Sequence, residues 1–191
     1  WLRQPGLTTA EILMPGITNT TRRARYYSVM AWMFANANGP RRLRRLENAF
    51  LHAVHQHGLG AGHGVMGVGS DSVLKALGPR VLNLSWERDS TPPSVLQAAL
   101  YGPSAEALGV GSKGARQVEQ LTHDLANSLG LPDWATPDAT QGELTDAQLD
   151  ALGALCLCTR PNDRERQLLV ELFFRLDRRR SKWQCSPACC C

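Results

Sequence analysis

The sequence predicts a mainly α fold, a multi-helix bundle with a small winged-helix-like element. Three observations lead there. Apolar residues recur every three or four positions through most segments, which gathers them on one helix face. Ser, Thr, Asn or Asp stands ahead of several of these segments, placed to accept a hydrogen bond from a helix-starting N–H. Stretches rich in Pro, Gly and Asp separate them. At 191 residues, with 43% hydrophobic and 20% charged side chains, the chain can bury a core without metal or disulfide support, and global disorder is excluded.

Residues 1–19 carry two Pro-Gly pairs and read as an irregular arm. Thr20 or Thr21 caps a helix to about Asn38, with Ala24, Tyr27, Ala31 and Phe34 in one stripe, so this helix should be largely buried. Pro40 fits the first position of a second helix, ending near Gly58. Its stripe is Leu43, Leu46, Phe50 and Val54, with Arg41, Arg45, Asn48 and His52 on the polar side. So short a turn makes the two helices antiparallel neighbours, and the start of the first then lies beside the end of the second.

A glycine-dense loop follows from Gly58 to Gly69, then a helix capped by Ser70 or Asp71. "RVLNLSW" fits a strand or a short helix, and Ser94 begins another helix to about Tyr101. The extended "EALGVG" and the helix opening at "SKGARQVEQL", striped by Val118, Leu121, Leu125 and Leu129, resemble the wing and following helix of winged-helix regulators. A Pro, Asp and Thr-rich connector runs from Leu131 to Glu143. A helix from Thr145 turns Leu149, Leu152 and Cys156 inward, and a last helix capped by Asn162 or Asp163 buries Leu168, Leu169, Leu172, Phe173 and Leu176. The organisation expected is therefore a helical domain at 1–130 containing a basic hairpin, a linker at 131–143, a helical hairpin at 144–182 and a Cys-rich tail at 183–191. Leu46, Phe50, Leu172 and Phe173 should lie in the core.

The net charge of +4 is unevenly spread. Arg22, Arg23, Arg25, Arg41, Arg42, Arg44 and Arg45 crowd the N-terminal third, while 131–155 is acidic. Arginine at a helix start opposes the positive end of the helix dipole, so an anion is expected there: a phosphate or carboxylate ligand, or an acidic side chain of the chain itself, from Glu11 or residues 133–150. "RRLRR" in the second helix suits a phosphate backbone. Arg22, Arg23, Arg25, Arg41, Arg42 and Arg45 are thus the candidate nucleic-acid or phosphate-binding residues. Tyr26, Tyr27 and Trp32 beside them share helical spacing with methionines and read as core.

His52, His55, His57 and His63 form the weak candidate for a metal site. Without a nearby carboxylate to orient them they are expected to hold none, and to form an exposed, pH-sensitive edge instead. Cys156 and Cys158 in "LCLC" read as small buried thiols. The terminal "CSPACCC" can chelate a soft metal, be a peptide tail behind a long leader, or be a frameshifted gene end, and a chain opening at Trp1 reads as a fragment. Cysteine usage fits a reducing compartment. No apolar run is long enough to cross a bilayer. P-loop, GxSxG and paired-carboxylate motifs are absent, so no catalytic residue is assigned and no cofactor is expected.

"MPGITNTTRRARYYSVMAW", "RRLRRLENAFLHAV" and "GELTDAQLDALGALC" together resemble a group of uncharacterised bacterial proteins that open with a Pro-Gly-x-Thr-Asn element and an Arg-Tyr-Tyr-Ser helix. The resemblance implies a bacterial cytosolic protein, with some of the group near phage-defence genes, and assigns no reaction. The function expected is a non-enzymatic, nucleic-acid-associated or regulatory helical module with DNA, RNA or a protein as partner. The alternatives are a protein-interaction scaffold and a metal-dependent hydrolase.

Overall fold

The computed structural model describes residues 24–62, Leu84, Ala105, residues 108–110 and residues 116–183, with side chains at 116–119 and 175–183 left aside. Within them the fold is mainly α, as the periodicity predicts: α1 (Arg25–Asn36), α2 (Pro40–Ala61), α3 (Arg116–Ser128), a 3₁₀ turn at Asp133–Ala135, α4 (Asp146–Gly153) and α5 (Asp163–Trp183). The helix starts expected at Thr20, Ser70 and Ser94, and most of the winged element, lie outside the described residues. Among the described residues no strand and no helix long and apolar enough to cross a membrane occurs.

α1 is the central element. Every residue from Tyr26 to Met33 is buried, because α1 rests most broadly on α3 and also touches α2 and α5. Tyr26 meets Phe50 edge to face at 6.1 Å, each ring equally far along its helix from the 37–39 turn, as an antiparallel pair requires. Tyr27 turns to the other side and meets Phe173 at 5.3 Å. Leu46, Phe50 and Leu172 are core, whereas Phe173 is half-buried at the edge of that aromatic contact.

α2 begins at Pro40, whose missing N–H costs nothing at a first-turn position. It runs one turn past the expected end, to Gly62. There a left-handed φ of 69° lets the Gly62 N–H reach back to the Gly58 carbonyl. Its expected polar side needs correction. Asn48 and His52, expected on the polar side, are buried, as is Glu47, while α4 packs along α2 at the level of Ala53 and His57.

α4 is shorter than expected and ends at Gly153. Its start carries a complete capping box: the Thr145 side chain accepts from the Gln148 N–H, and the Gln148 side chain accepts from the Thr145 N–H at 3.0 Å. Gln148 also donates to the Trp134 carbonyl at 3.0 Å, tying the connector to the helix. Thr145→Ala should therefore cost about 1 kcal/mol, measured by urea denaturation; an unchanged midpoint would mean the box contributes nothing. α5 is capped by Asn162, whose Oδ1 accepts from the Glu165 N–H at 2.8 Å while its Nδ2 donates to the Ser128 carbonyl at the end of α3. One continuous apolar core joins α1, α2 and α3 to Leu152, Leu155, Cys156, Leu168 and Leu172. Among the described residues, helices on both sides of the 131–143 stretch contribute to this one core.

Candidate functional site

The arginines divide between two places. Arg25, opening α1, is nearly buried, and its Nε lies 3.4 Å from Oε1 of the fully buried Glu165 on α5. Its Nη1 donates to the carbonyls of Cys156 at 3.1 Å, Thr159 at 3.2 Å and Ala154 at 3.3 Å, and to the Thr159 hydroxyl. Among the described residues, the anion beside Arg25 is therefore a side chain of the chain itself, Glu165, which lies outside the 133–150 segment; Glu11 is outside the described residues. Arg42 and Arg45 face the connector instead. Arg42 Nη2 donates to the Pro137 carbonyl and Arg45 Nη1 to that of Ala139. Burial lowers the Arg42 pKa, the neighbouring Arg45 charge adds to the effect, and Asp138 opposes it. Arg41 is exposed on the first turn of α2, and Arg22 and Arg23 lie outside the described residues.

The turn that Arg25 holds carries the chemistry. After Gly153 the chain leaves α4 in tight turns, with the Cys156 N–H bonded to the Gly153 carbonyl at 2.9 Å. The Thr159 hydroxyl lies 2.6 Å from the Cys156 carbonyl oxygen and 2.9 Å from that of Ala154, and its one hydrogen is shared between them. This fixes the backbone of the Cys-x-Cys pair from within while Arg25 fixes it from below. Cys156 is buried, but Cys158 is exposed, which corrects the reading of both as buried thiols, and neither is in a disulfide. His57, near the end of α2, places its Nε2 3.2 Å from the Cys158 Sγ. One ligand atom from each of His57, Cys156 and Cys158 lies within 4.8 Å of the other two.

Gly153 makes this approach feasible. A Cβ there would sit 3.2 Å from the His57 Cβ and 3.3 Å from the Ala53 carbonyl oxygen, so a larger residue would press α4 away from α2 at the level of His57. Beside the cluster, a groove of about 580 Å³ between the two helices is lined by Gln56, His57, Asp146 and Asp150 among others.

The expected histidine set separates. His52 is buried on α2, its pKa lowered to about 4 by burial and then by the His55 charge, and its Nε2 has no hydrogen-bond partner among the described residues. It is a core residue rather than part of an exposed edge. His57 alone turns to the cysteines, and His63 lies outside the described residues. The signal for the cluster was the Cys-x-Cys spacing of "LCLC", whose thiols alternate in environment because a turn, not a helix, carries them. Comparison of the chain with known protein families, curated proteins and solved structures finds no match.

Proposed function

We propose that the chain is a non-enzymatic helical scaffold or regulatory module that works by presenting its surface to a protein partner, in the bacterial cytosol and in a defence setting. The observation that carries this reading is the engagement of Arg25, Arg42 and Arg45 with internal acceptors. Three of the six arginines suited to a phosphate backbone brace the fold, so the basic cluster has a structural use that needs no nucleic acid. A guanidinium already donating to carbonyls must break those bonds before it can neutralise a phosphate.

A fluorescence anisotropy titration with duplex and single-stranded DNA and RNA at three salt concentrations tests it. The scaffold reading expects no binding at ~0.15 M salt, and a lower thermal midpoint for the Arg42→Ala/Arg45→Ala variant because the connector loses its braces. Nucleic acid bound with a steep salt dependence, whose log-log slope falls by about 2–3 when Arg41, Arg42 and Arg45 are replaced by Ala, would overturn it in favour of a nucleic-acid-associated module.

A further inference from the structure

We propose that His57, Cys156 and Cys158 form a binding site for a thiophilic divalent cation, zinc in particular, with three protein ligands and a fourth, exchangeable position on the solvent side. The inference is independent of how the arginines are used. It rests first on geometry. Tetrahedral zinc with Zn–S of about 2.3 Å and Zn–N of about 2.0 Å sets its ligand atoms about 3.5–3.8 Å apart. The three atoms here lie within 4.8 Å of one another, with the His57–Cys158 pair at 3.2 Å. Closing onto an ion thus takes adjustments of well under 1 Å on one edge and about 1.3 Å at most on the others.

The second support is preorganisation. Two ligands two residues apart can chelate one ion only if the intervening turn is held, and here Thr159 and Arg25 both hold the carbonyls of that turn. The third ligand comes from a different helix, brought near by the close approach at Gly153. Such outer contacts orient ligands and raise affinity. Chemistry selects the ion: two thiolates and an imidazole favour zinc over magnesium or calcium, which take oxygen ligands. A Cys₂His set with one open position is also the arrangement that leaves room for a water or a ligand. Cys158 is exposed and His57 lines the groove carrying Asp146 and Asp150, so that position is reachable from solvent.

Binding deprotonates both thiols, so each zinc taken up at neutral pH releases up to two protons to the buffer, with no oxidant or reductant involved. The tail cysteines Cys185, Cys189, Cys190 and Cys191 are competing thiols. The experiment therefore uses the full chain, without a His tag, with those four replaced by Ser, titrated anaerobically with Co²⁺ and then Zn²⁺. The expected result is one Co²⁺ per chain, thiolate-to-cobalt charge transfer with the intense visible bands of tetrahedral coordination, displacement by one Zn²⁺, and proton release. His57→Ala, at a half-buried position, and Cys158→Ser, at an exposed one, should each weaken Co²⁺ by about 100-fold or more, beyond the loss from an outer contact. Circular dichroism checks that each variant is folded, and Cys156→Ala adds a third test of the same kind. Absence of stoichiometric binding in the four-serine chain, or binding that His57→Ala and Cys158→Ser leave unchanged, would overturn the proposal. Metal bound by the wild type but lost with the tail cysteines would overturn it too.

Discussion

Arg25→Ala is expected to cost about 3–5 kcal/mol of folding stability, the largest loss of any single polar substitution in the described chain. The Glu165 carboxylate has no exposed surface, and its carboxylate oxygens have no hydrogen-bond partner among the described residues, so the Arg25 charge at 3.4 Å is the compensation in view for its burial. Removing the guanidinium strands that charge. It also leaves the carbonyls of Ala154, Cys156 and Thr159 without their long-range donor. The two effects can be separated by a double-mutant cycle in urea. Arg25→Met keeps the apolar stem but strands the carboxylate, Glu165→Leu removes that charge while Arg25 keeps its carbonyl acceptors, and the double variant should recover the charge part of the Arg25→Met loss but not the part left by the unpaired carbonyls. A loss below about 1 kcal/mol for Arg25→Ala would mean that the pair contributes little and that the turn at 154–159 is held by Thr159 alone.

Much of the helical framework was legible because it depends on local rules. The Thr145 and Asn162 caps each arise from a side chain reaching a backbone group within a few residues, the Pro40 start from a ring that has no N–H to satisfy, and the first of two helices joined by a short turn has few places to go. Burial on the polar side of α2 was not legible. Asn48 and His52 sit one turn apart opposite the apolar stripe, the spacing of a solvent face, yet both are buried, because tertiary packing and not local periodicity decides what covers that side. The same holds for the site. The anion for Arg25 was expected from Glu11, from the acidic residues of 133–150 or from an external ligand, yet the described partner is a single carboxylate buried in the first turn of α5, chosen by packing rather than by composition. His57 and the Cys-x-Cys pair were visible as separate motifs. Sequence distance gave no reason to join them, and the close contact at Gly153, which does, looks in sequence like any glycine near a helix end.

His52 gives the second large effect, and its sign follows from the direction of its shift. Its pKa falls from the ordinary 6.5 to about 4 because burial disfavours the imidazolium and the His55 charge adds repulsion. The folded state therefore binds this proton less readily than the unfolded chain. Stability from this group is fully present above pH 6.5, drains away as pH falls from about 6.5 to about 4, and is flat below that. The linkage amounts to about 2–3 kcal/mol across the window, allowing for some solvent screening. Carboxylates titrate in the lower part of the same range, so the wild-type curve alone does not isolate the histidine. His52→Leu does, since it removes the titrating ring while keeping an apolar side chain beside Leu51 and Ala53, and it also relieves the ring of a buried Nε2 without a partner. Urea denaturation at half-unit steps from pH 7.5 to about 4 should show the variant losing less stability than the wild type, with most of the difference accumulating between pH 6.5 and 5, where carboxylates contribute least. Parallel pH profiles would mean that His52 keeps its ordinary affinity for protons, which a ring sealed between α2 and its neighbours cannot do without an anionic partner.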